Sequence, residues 1–122
     1  MQNLSDYIKI YDDILDKETC DSIIARYEKS VEHEKVSSEI YKFEQLNITK
    51  LEPWQDISQM FAGLSYSGAT AYFNDVEVPI IPQLQGFEEI RIKRYRPNEN
   101  ERFDLHVDVG DRIVRSHWDD IF

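Results

Sequence analysis

The dominant spacing of apolar residues shifts from helical to alternating near residue 87, and that shift restricts the fold more than any other feature. After Asp16, residues Cys20, Ile23, Ile24, Tyr27 and Val31 recur at helical intervals and define one apolar face. After Pro53, residues Trp54, Ile57, Met60, Phe61 and Leu64 do the same, and the period continues through Gly63 and Gly68 to Ala71 and Tyr72. From Phe87 onward the period is two. Ile90 and Ile92 alternate with Arg91 and Lys93, and Leu105, Val107 and Val109 alternate with His106 and Asp108. Helical stripes followed by alternating strands imply an α+β chain, with helices packed on the first strands of a sheet that begins near residue 87.

Local signals refine that order. Tyr7-Ile8-Lys9-Ile10-Tyr11 alternates and reads as a short strand. Asp16 has the chemistry of an N-cap, with Glu18 in the first turn of the helix that follows. The polar segment from Glu32 to Glu39 reads as a loop, with His33 solvated in it, and Tyr41 to Ile48 as a weakly alternating strand. Pro53 suits the first position of a helix. Pro79 and Pro82 interrupt the chain, Gln83 to Gly86 read as loop, and Arg96-Pro97-Asn98-Glu99-Asn100 as a turn. With 122 residues and no repeat or linker, residues 1–122 are expected to form a single domain, or the N-terminal portion of one.

Composition narrows the function classes. A net charge of -10 argues against broad nucleic-acid or anionic-membrane binding. Arg91, Lys93, Arg94, Arg96 and Arg102 run against that sign. They are either a solvated strand face or a basic approach to a site for an anionic small molecule. The lone Cys20 excludes an internal disulfide framework and fits a core thiol. No run approaches 18 apolar residues and the N-terminus lacks a leader pattern, so the expectation is a cytoplasmic protein without membrane spans.

The chemistry-bearing pattern is Phe103-Asp104-Leu105-His106-Val107-Asp108. On a strand, His106 and Asp108 share one face, which is how a sheet presents two ligands to one metal ion. With 24 acidic residues and three histidines, chance supplies some His-x-acid triplet about half the time, so context must decide. Two histidines and one carboxylate with open positions are the ligand set of non-haem Fe(II) oxygenases.

Three stretches together resemble the prolyl 4-hydroxylase-type Fe(II)/2-oxoglutarate dioxygenases. Ile10 to Ile24 resembles the family's opening strand and first helix, Glu89 to Pro97 the strand bearing the co-substrate tyrosine, and Phe103 to Asp108 the motif strand. The resemblance implies helices packed on the first strands of a double-stranded β-helix, or jelly-roll, core that is incomplete within these residues. It implies His106 and Asp108 as iron ligands, Tyr95 as the contact to 2-oxoglutarate, and Phe103 as a residue lining or packing beneath the site. Fe(II) would be the cofactor, 2-oxoglutarate and dioxygen the co-substrates, and ascorbate a candidate further cofactor. The implied activity is hydroxylation of a protein or peptide, with peptidyl proline as the family's default substrate.

The family's second iron-binding histidine and a basic partner for 2-oxoglutarate lie several strands beyond the motif. The chain runs only from Asp108 to Phe122 after it, which reads as a truncated portion of the fold, inactive by itself. His117 is a candidate third ligand, reached only through a tight reversal, and Arg112 and Arg115 are candidates for the basic group. Two alternatives stand beside the dioxygenase: a non-catalytic remnant or interaction module of the same family, and an acidic non-enzymatic domain in which the triplet is accidental.

Overall fold

Asp16 starts the first helix by side-chain capping. Its carboxylate accepts a hydrogen bond from the Thr19 backbone N–H at 2.7 Å, and hydrogen bonding by the Thr19 side chain, with that backbone bond, holds its pKa below the usual carboxylate range. Helix α1 then runs Lys17–Lys29, as the periodicity predicts. The computed structural model describes residues 3–76 and 87–108, and all structural statements here refer to them. The predicted loop at Gln83 to Gly86, and Val109, Arg112, Arg115 and His117, lie outside the described residues.

The remaining elements are β1 (Glu34–Ser37), β2 (Tyr41–Asn47), α2 (Gln55–Asp75), β3 (Arg91–Arg94) and β4 (Arg102–Phe103). This is a mixed α/β chain with two helices and a small antiparallel sheet. Strand order is β1-β2-β3, and β4 pairs antiparallel with the start of β2, Tyr41 opposite Phe103 and Lys42 opposite Arg102. The described residues divide into two compact units, one of residues 3–34, 45–76 and 87–93, the other of residues 35–44 and 94–108.

The core of the first unit collects Ile23 and Tyr27 from α1, Leu46 and Ile48 from the end of β2 and the turn after it, and Trp54 at the start of α2. Leu46 and Ile48 are completely buried. Leu51, Ile57, Met60, Phe61, Ile90 and Ile92 pack around them. The Arg26 guanidinium lies 4.5 Å from the centre of the Trp54 ring, a cation–π contact. It also donates to Asp56 at 2.9 Å and to the carbonyl of Pro53. Arg26 therefore ties α1 to the first turn of α2, and its hydrogen bonds hold the Asp56 carboxyl below the usual carboxylate range.

Several local expectations change. Tyr7 to Tyr11 is not a strand: Leu4–Tyr7 forms a 3-10 turn, because the Asp6 carboxylate accepts from the Asn3 backbone N–H at 2.8 Å. The arm that follows is held by side chains rather than a ladder. The Tyr72 hydroxyl donates to the Tyr7 carbonyl at 2.8 Å, and the Tyr11 hydroxyl donates to Asp75 at 2.7 Å. The latter bond, to a carboxylate, pushes the Tyr11 pKa up to about 12. The polar segment from Glu32 to Glu39 contains β1, since hairpin pairing with β2 outweighs its weak apolar pattern. His33 is only partly solvated: its ring stacks on Tyr27, centroids 4.4 Å apart, and Nε2 lies 2.7 Å from the Tyr27 carbonyl. Val31 falls beyond the end of α1 and is exposed. Pro53 sits in a 3-10 turn, Glu52–Trp54, just ahead of α2.

Leu46→Ala is expected to destabilise the chain by about 2–5 kcal/mol, since a fully buried leucine leaves a cavity when truncated. Denaturant unfolding followed by tryptophan fluorescence checks this. A loss below about 0.5 kcal/mol would contradict the packing described.

Candidate functional site

Alternation along β2 puts Tyr41 and Phe43 on one face and Lys42 and Glu44 on the other. The first face builds an aromatic cluster within the second unit. Phe43 is buried; its ring centroid lies 5.4 Å from Tyr41, 5.4 Å from Tyr95 and 6.0 Å from Phe103. Phe103 meets Tyr41 edge-on at 5.4 Å, as expected for residues directly opposite in an antiparallel pair. On its other side Phe103 stacks flat against His106, with centroids 3.8 Å apart and planes 9° from parallel. Packed rings therefore run from Tyr95 through Phe43 and Phe103 to His106.

The motif itself is not a strand beyond its second residue. Pairing ends at Phe103, where the Asp104 backbone N–H still donates to the Ile40 carbonyl at 2.7 Å. In an extended chain, residues three apart stand on opposite faces, so Phe103 and His106 could not stack. The chain turns instead, and His106 Nδ1 comes within 2.7 Å of the Asp104 carbonyl oxygen. Leu105 and Val107 end up exposed rather than facing a core.

The turn nevertheless brings His106 and Asp108 together. His106 Nε2 lies 3.2 Å from Asp108 Oδ1. A carbonyl oxygen only accepts, so the Asp104 contact assigns a proton to Nδ1 and leaves Nε2 as the outward nitrogen. Without a second ring proton, Nε2 would face the Asp108 carboxylate with its lone pair, acceptor against acceptor. That contact is favourable only when a proton or a metal cation lies between them. Two donors binding one ion at about 2.1 Å in neighbouring coordination positions stand about 3 Å apart. The observed spacing fits, and the Asp104 carbonyl is the outer partner that metal-bound histidines commonly have.

Among the described residues, no group of three His, Cys, Asp or Glu side chains converges to hold a metal. Tyr95, the expected 2-oxoglutarate contact, is about two-fifths exposed and is positioned through Phe43. Sequence reasoning missed Phe43, although its alternation with Glu44 was visible, and it missed the Asp104 carbonyl. A backbone acceptor carries no side-chain signal. The basic stretch divides: Arg94 donates to buried Glu44 at 2.5 Å, whereas Arg102 pairs with Asp104 at 3.2 Å and donates to the Glu39 carbonyl at 2.8 Å.

Comparison of the chain with protein-family models, curated proteins and solved structures finds no match in any of the three.

The Phe103–His106 stack has a spectroscopic signature. The imidazole carbon-bound protons of His106 should be shifted upfield by the Phe103 ring current, and Phe103→Leu should return them toward ordinary values while α1 and α2 signals stay in place. Unchanged His106 proton shifts in that variant would contradict the stack.

Proposed function

We propose that this chain carries part of an Fe(II)/2-oxoglutarate dioxygenase site, with His106 and Asp108 as two protein ligands and Tyr95 as a contact to the 2-oxo acid. The observation that carries the reading is the 3.2 Å approach of His106 Nε2 to Asp108 Oδ1, with Nδ1 committed to the Asp104 carbonyl. One imidazole nitrogen and one carboxylate oxygen are donors suited to Fe(II), and they leave coordination positions open.

In this reading His106 stays oriented because its ring is clamped between the Phe103 face and the Asp104 carbonyl. Asp108, with its side chain 93% exposed, is free to turn a carboxylate oxygen toward the shared position. Tyr95 offers a hydroxyl donor for a carboxylate on the same aromatic cluster. When bound, the iron would supply the activation of dioxygen, with 2-oxoglutarate as co-substrate. A jelly-roll core around this site, a third ligand, ascorbate as an accessory reductant and a protein or peptide substrate belong to the same proposal. The stacking of an otherwise exposed histidine against its own strand also fits a surface ion pair in a binding module, and the metal titration separates the two.

Mn(II) serves as an oxygen-stable probe for the site. Wild-type chain is expected to bind it, with affinity falling as the solution is acidified because protons compete for the ligand atoms. His106→Ala and Asp108→Ala should each weaken binding at least tenfold. Added 2-oxoglutarate should tighten Mn(II) binding in wild type, and less so in Tyr95→Phe. Equal Mn(II) affinity in wild type and both ligand variants would refute the metal site. Intact metal binding without any effect of 2-oxoglutarate would refute the dioxygenase reading.

A further inference from the structure

The polar face of β2 borders a cleft that the iron site does not use. Its volume is about 240 Å³, and its walls include Lys35, Lys42 and Arg96 together with Glu44, Glu99 and Glu101. By formal charge the cleft is balanced, three against three, but the strongest ion pair of its carboxylates is made by Glu44 with a residue outside the cleft wall. Glu44 is buried and accepts from Arg94 at 2.5 Å, a guanidinium outside the cleft wall, so its charge is offset from elsewhere. Glu101 accepts from the Arg96 backbone N–H at 3.1 Å. Glu99 turns its carboxylate toward the Arg96 guanidinium at 3.7 Å, while its carbonyl takes one hydrogen bond from Lys42 Nζ at 3.1 Å.

The cations, by contrast, keep donors to spare. The Lys35 side chain makes no hydrogen bond or ion pair among the described residues. Lys42 spends one of its three ammonium donors, on a neutral carbonyl. Arg96 reaches Glu44 and Glu99 only at 3.8 and 3.7 Å, too long for hydrogen bonds, so its fork remains available. The turn that presents Arg96 is fixed by two left-handed residues, Asn98 at φ 64° and Asn100 at φ 55°, a conformation asparagine tolerates better than most side chains. The cleft is thus a preformed cluster of unspent N–H donors in a chain of net charge -10.

We propose that this cleft binds a small multivalent oxyanion, a phosphate or a dicarboxylate, through Arg96, Lys42 and Lys35. Its volume lies below the range typical of drug-sized ligands, which suits such an ion. Arg96 supplies the planar fork for two acceptor oxygens, and the two lysines supply point charges at the rim. Net charge would deter an anion at long range, so binding should strengthen as salt screens the global repulsion and weaken once salt competes locally.

Inorganic phosphate and malonate, titrated separately while side-chain and backbone amide resonances are followed by NMR, test the proposal. Either ion should produce saturable shifts centred on Arg96 and Lys42, and the tighter of the two identifies the ligand class. Arg96→Gln should weaken binding at least fivefold. Lys35→Gln, a change at an exposed position, should weaken it about twofold to threefold with an unchanged thermal midpoint, which keeps the test valid if the Arg96 variant folds poorly. His106→Ala should leave anion binding intact, separating this cleft from the metal reading. Shifts that are absent, that do not saturate, or that are equal in wild type and Lys35→Gln would overturn the proposal.

Discussion

Trp54 is the side chain on which the first unit depends. It is buried at the start of α2, among Ile23 and Tyr27 of α1 and Leu46 and Ile48 from the end of β2. A large ring at that junction can be enclosed only if the two helices and the strand end arrive together. Arg26 adds its guanidinium over the ring and its donors on Asp56 and Pro53. One arginine therefore fastens α1 to the start of α2 and covers the Trp54 ring at once. On the far side of the strand, Asn47 donates to Glu89 at 2.8 Å, a bond that holds the Glu89 carboxyl below the usual range and secures the approach to β3.

The second unit rests on a different device, an aromatic cluster centred on Phe43. Its order matters more than its size. Phe43 supports Phe103, and Phe103 supplies the flat surface that fixes His106. Asp104 then sets which nitrogen of that ring faces outward. A short β4, only two residues long, is sufficient for this because each residue has a separate task. Arg102 anchors the strand end to the hairpin before it, and Phe103 carries the histidine.

Helices were the most legible part of the sequence, because capping and a 3.6-residue period reinforce each other. Asp16 and the stripe from Cys20 to Tyr27 mark α1, and the stripe after Pro53 marks α2 through both of its glycines. Neither glycine meets a neighbour within 4 Å at the position of an added Cβ, so no close approach explains them. Strands were less legible. Tyr7 to Tyr11 alternates as well as any strand here, yet the Asp6 turn and two tyrosine anchors decide its path. The Glu34–Ser37 strand has little apolar pattern and exists through its partner. At the site, the pairing of His106 with Asp108 was legible, but for a different geometric reason. Strand periodicity suggested a shared face, whereas the observed contact comes from a turn stabilised by stacking and by a backbone carbonyl.

The second unit carries two polar features of opposite preference. One exposes a histidine and an aspartate that suit a cation, and the other gathers spare N–H donors that suit an anion. Coordination by His106 is the step on which the functional reading turns, and electron spin-echo modulation of the Mn(II)-loaded protein measures it directly. The expected result is nitrogen modulation from a directly bound imidazole that disappears in His106→Ala and persists in His33→Ala. Modulation from solvent alone in the wild type, or nitrogen coupling unchanged in His106→Ala, would contradict it.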